Sequence, residues 1–118
     1  MEFRQAIQEL IYYSDRIKDL DREIVRIEEG CKGLLQDSIE NGLIYFDQAN
    51  TIHSDLIKAQ RMRQEITDAE GKVDQAKVFL QDNLRPFDGY RVVYEYRSDG
   101  GPSKTFQVFM EDDQVKFV

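Results

Sequence analysis

Apolar residues recur along the first third of the chain at the spacing of a helix. Phe3, Leu10, Ile17, Ile24 and Cys31 fall seven apart, and Ala6, Tyr13, Leu20, Ile27 and Leu34 form a second row three residues on. These five heptads carry no charge on either row, so one stripe of a helix is kept facing a partner helix. Off the stripe, Asp15, Asp19, Glu23 and Glu28 alternate with Arg16, Lys18, Arg22 and Arg26. Pairs three or four apart on a helix surface each add a few tenths of a kcal/mol and favour solubility rather than chemistry.

Gly30 and Gly33 interrupt this pattern, and a glycine inside a helix costs about 1 kcal/mol relative to alanine. The helix either breaks near Gly30 or continues with a bend. The seam residues Cys31 and Leu34, followed by Leu35 and Ile39, favour continuation. Asn41-Gly42 is a good stop, because glycine takes up the left-handed conformation at low steric cost. Helix one is thus expected over residues 1–42, with a connector over 43–50.

A second helix is expected over 51–85. Ile52, Ala59, Ile66, Val73 and Leu80 make its heptad row, with Met62, Ala69 and Ala76 on the companion row and Leu56 one place off it. The alanines of this seam can accept the larger Ile and Leu side chains of helix one. Asp47, Asn50 and Thr51 offer N-caps, and Pro86 ends the helix by excluding helical geometry at residue 85.

From Tyr90 the period changes to two. Tyr90, Val92, Tyr94 and Tyr96 share one face, and Arg91, Val93, Glu95 and Arg97 the other. A turn-rich stretch from Ser98 to Ser103 follows; Phe106, Val108 and Met110 resume the alternation. Glu111-Asp112-Asp113-Gln114 makes a tight turn before Val115 and Phe117. Three antiparallel strands in sequence order are expected over 90–118.

The fold class predicted is α+β: a long antiparallel, coiled-coil-like helical hairpin followed by a C-terminal three-stranded antiparallel β-meander, in one domain over 1–118. Folding helix two back brings its end to the start of helix one, where Ile7, Ile11 and Tyr12 add a second apolar surface for the sheet. Val93, Phe109 and Val118 would then remain uncovered on the sheet's other face. That surplus, together with a thin two-helix seam, predicts a homodimer or higher homo-oligomer; the alternative is a sheet that curls over the helices of a monomer.

Charge narrows the function classes. The chain of 118 residues has 16 basic and 23 acidic residues, a net charge of −7. An acidic surface lacks the cationic footprint that direct binding to nucleic acid or anionic membrane requires. The acidity is concentrated: between residues 28 and 57 stand Glu28, Glu29, Asp37, Glu40, Asp47 and Asp55 against Lys32 alone. A single cysteine excludes an internal disulfide. The N-terminal residues carry charges among their apolar positions, unlike a signal peptide or membrane anchor, and the chain is expected to be soluble and cytoplasmic.

Candidate chemistry is sparse. There is one His and one Cys, with no glycine-rich phosphate loop, nucleophile elbow, CxxC or HExxH. His53 at a helix start reads as a surface residue, and Cys31 as a small buried hydrophobe with a redox or intermolecular role as the alternative. Acidic pairs lack calcium-loop spacing. No enzymatic activity, cofactor or metal is expected.

The remaining signal is Leu43, Ile44, Tyr45 and Phe46, four consecutive apolar residues in the acidic connector. An apolar patch rimmed by acids is a partner-binding surface, unless these side chains fold back and cap the seam. The leading expectation is a non-enzymatic interaction module that binds a basic protein through Glu40, Leu43, Ile44, Tyr45, Phe46 and Asp47. One alternative is an acidic inhibitor, of viral or mobile-element type, that mimics nucleic acid at a basic site. Another is an oligomeric binder of an anionic small molecule or nucleotide, using Arg91, Arg97 and Tyr94.

Overall fold

The computed structural model describes residues 1–39, 42–97 and 100–118. Two long helices, α1 (Phe3–Asp37) and α2 (Phe46–Asn83), form a hairpin. A short 3-10 turn at Arg85–Phe87 leads to three strands, β1 (Val92–Tyr96), β2 (Lys104–Glu111) and β3 (Gln114–Phe117). The strands are antiparallel in the order β1-β2-β3. The α+β class, the hairpin and the meander are therefore as the periodicities predict.

α1 runs without interruption through Gly30 and Gly33. The seam explains this: Leu20, Ile24 and Cys31 are all buried, and that burial outweighs two glycines in an otherwise strong helix. The helix ends at Asp37 rather than at residue 42. Ser38 and Ile39 turn back on the Leu35 and Gln36 carbonyls, and Gly42, at φ +66°, donates its N–H to the Ser38 carbonyl at 3.1 Å. Asn41 lies outside the described residues, as do Glu40, Ser98 and Asp99.

α2 begins five residues earlier than the caps suggest, at Phe46. The Ala49 N–H reaches the Tyr45 carbonyl at 3.0 Å and closes the first turn, where the Asp47 carboxylate favours the positive end of the helix dipole. Thr51, now inside the helix, donates its hydroxyl to the Asp47 carbonyl. At the other end the Asn83 amide donates to the Phe79 carbonyl at 2.8 Å, and Pro86 directs the chain into the 3-10 turn.

The chain divides into two compact units. One comprises Met1–Ser14 and Glu70–Val118. Its core contains Ile7, Leu10, Ile11, Leu80, Leu84 and Val108, each fully buried. The sheet in this unit is tied to α1 by the Gln8 amide, which donates to the Tyr94 hydroxyl at 2.9 Å. It is tied to α2 by Gln81, which donates to the Asp113 carbonyl. Phe3 and Phe87 stack at 6.3 Å between ring centroids, fixing the chain after α2 against the start of α1. Tyr12, expected in this core, is exposed and meets only the edge of Tyr13 among aromatic partners.

Val93 and Val118 stay exposed, whereas Phe109 is only 7% exposed. Phe109 departs from the expectation because the Arg91 guanidinium lies over its ring, 4.2 Å from the centroid. The cation covers the aromatic face, and one of its terminal nitrogens donates to the Gln107 side chain at 3.0 Å.

The second unit is Asp15–Ala69, the remaining parts of both helices and the loop joining them. Ile52, Ala59 and Ala69 of α2 are buried with the α1 seam residues. Arg16 holds Glu65 through two donors, at 2.7 and 2.9 Å, and Arg63 pairs with Glu28.

Candidate functional site

The loop between the helices and the first turn of α2 form the most apolar exposed stretch of the Asp15–Ala69 unit. Leu43 is 72% exposed, Tyr45 84%, Phe46 79% and Ile44 39%. These side chains do not fold back over the seam. After Gly42, at φ +66°, three residues follow without helical structure, and Phe46 and Asp47 are already in α2. A helical backbone therefore fixes the directions of Phe46 and Asp47, while Leu43, Ile44 and Tyr45 project from the preceding segment.

Two further residues belong beside this stretch in the chain. Leu35 in the last turn of α1 and Ile39 in the turn just after it are both exposed. The sequence carried their signal, since both lie off the heptad rows. Asp37 and Asp47 bracket the apolar side chains, and both are exposed. Glu40, expected to be part of the rim, lies outside the described residues.

Apolar groups of this size gain about 25 cal/mol for each Å2 removed from water. Aromatic anchors surrounded by polar groups are the usual centre of a binding surface. The arrangement can bind. Among the described residues no group of three or more His, Cys, Asp or Glu converges as metal ligands would.

The residues proposed for an anionic ligand are not brought into one pocket. Arg97 lines a cavity of about 410 Å3 with Tyr12, Tyr13, Tyr96, Gln5, Gln8 and Glu9. The Glu9 carboxylate there has one oxygen reached by the Gln5 amide and a second, buried, without a hydrogen-bond partner among the described residues. Arg91 lines a different cavity, over Phe109, and Tyr94 accepts the hydrogen bond from Gln8.

Cys31 is buried in the helical unit. Its thiol pKa is raised, first by burial and then by the Asp55 carboxylate. That keeps sulfur protonated and a poor nucleophile at neutral pH.

No protein-family model matches the chain, and neither the curated proteins nor the solved structures contain a detectable relative. Among the described residues no helix is long and apolar enough to cross a membrane.

Proposed function

We propose that this chain is a non-enzymatic interaction module whose helical hairpin presents Leu43, Ile44, Tyr45 and Phe46 to a protein partner. The observation that supports the reading is the exposure of all four consecutive apolar side chains, two of them aromatic. Contiguous apolar surface of this kind is uncommon on a protein with no partner for it. The net charge of −5 between residues 28 and 57 selects a partner that carries basic residues around an apolar centre.

Self-association belongs to the same reading. Val25 and Leu56 in the helical unit, and Val78 and Val93 in the sheet unit, are exposed large apolar residues. A homodimer would cover some of them, and light scattering at high concentration would give twice the chain's 13.9 kDa.

A photo-crosslinking residue placed at Tyr45 tests the partner reading in cells that express the protein. It should yield a discrete adduct with a second protein, absent when the same residue is placed at Lys18 and when Phe46 is changed to Ala. Binding to the captured partner should persist in high salt, because aromatic burial carries it. No adduct at position 45 would sink the proposal. A steep loss of affinity with salt, with Phe46→Ala harmless, would instead support nucleic-acid mimicry by the acidic residues.

A further inference from the structure

At one cavity of the Met1–Ser14 and Glu70–Val118 unit, basic side chains outnumber acidic ones. A cavity of about 460 Å3 is lined by Lys77 of α2, Arg91 before β1 and Lys116 of β3, with Glu111 as its only acidic side chain. Three cations from three separate segments meet one acidic side chain and the main-chain oxygens of Val118, in a chain where acids outnumber bases by 23 to 16.

The three cations are in different states. Lys116 is neutralised by Glu111, at 3.0 Å. Arg91 is fixed in place: its ring partner Phe109 lies beneath it, and one terminal nitrogen donates to the Gln107 side chain at 3.0 Å. A guanidinium has five N–H donors, so most of those on Arg91 remain for another acceptor. Lys77 has no carboxylate within 4.0 Å among the described residues. One main-chain oxygen of Val118, which also lines the cavity, accepts the Gln107 N–H at 2.9 Å. Ser14 also lines the cavity.

We propose that this cavity binds a small oxyanion, held by Arg91 and Lys77 with the Ser14 hydroxyl as a neutral donor. A preplaced guanidinium presents paired donors that match the oxygens of a carboxylate or phosphate group, and the ammonium adds charge without fixed geometry. The space is sufficient for a compact organic anion rather than an extended chain. This inference is independent of the partner surface at Leu43 to Phe46.

Amide NMR titration with inorganic phosphate, and separately with acetate, at constant ionic strength against chloride, tests it. Saturable shifts should centre on Lys77, Arg91 and Lys116 for at least one of the two anions. Lys77→Gln and Arg91→Gln should each weaken binding at least fivefold, while Arg97→Gln leaves it unchanged. Arg91→Gln also removes the cover of Phe109, so the exposed Lys77 supplies the variant whose fold is not at issue. Shifts equal to those with chloride, or unchanged affinity in Lys77→Gln, would overturn the proposal. Which anion binds more tightly decides between a carboxylate and a phosphate ligand.

Discussion

Asp55 stands on the companion row of α2, seven residues before Met62, and its carboxylate raises the pKa of the buried Cys31 thiol of α1. A position that the heptad reserves for an apolar side chain holds an acid, and the residue it acts upon is the only cysteine of the chain.

This pairing makes stability fall at alkaline pH. The folded thiol keeps its proton above its ordinary value of 9.0, while the unfolded thiol loses it. The contribution is therefore complete below that value and lost as pH rises through the raised one. Urea midpoints measured from pH 8 to 11 should fall more steeply for the native sequence than for Cys31→Ala, with Asp55→Asn between them. Parallel curves would refute the assignment. Native alkylation at pH 8 should be at least tenfold slower than in urea.

Gly30 and Gly33 lie inside α1, and a Cβ added at either would meet nothing within 4 Å. Each change to alanine should raise stability by about 0.5–1 kcal/mol, through better helix propensity and a more restricted unfolded chain. Chemical denaturation reads this directly. A loss of stability would mean that these glycines serve a contact outside the single chain.

The turn between β2 and β3 places Asp112 at φ 53° and Asp113 at φ 61°, a conformation that glycine and asparagine adopt more readily. Two adjacent carboxylates add repulsion. Asp113→Gly should stabilise the protein by about 0.5–1 kcal/mol, and Asp113→Val should destabilise it by more than that. Gln81 bonds to the main-chain carbonyl here, so neither change removes that tie. Thermal unfolding of the two variants should bracket the native protein.

Leu80 is fully buried and Tyr45 is 84% exposed. Leu80→Ala should cost about 2–5 kcal/mol through the lost burial and the cavity left behind. Tyr45→Ala should change stability by less than about 0.5 kcal/mol. Comparable losses for the two would show that Tyr45 is packed in solution and is not a free binding surface.

The sequence made much of the fold legible because single periodicities dominate long stretches. The rows from Phe3 to Leu34 and from Ile52 to Leu80 located both helices, and alternation after Tyr90 located the strands. Ends were less legible. Asp47, Asn50 and Thr51 all resemble caps, but a cap residue and a first-turn acid share the same chemistry, and α2 begins at Phe46. The cover of Phe109 was hidden for a different reason: Arg91 reaches it only through the register that pairs β1 with β2. For the candidate surface, the sequence supplied the apolar run and its acidic flanks. It did not supply the exposure, which depends on where the chain leaves α1 and enters α2.

The strand order β1-β2-β3 leaves a rim at each side of the meander, where main-chain groups of β1 and β3 have no neighbouring strand among the described residues. Such rims template fibrous assembly when they are long and uncharged. Here they span five and four residues, and each carries a charge, Glu95 on one and Lys116 on the other. Neutralising both residues should speed aggregation of the purified protein, read as a rise in light scattering with time, although the two charges contribute little to its fold.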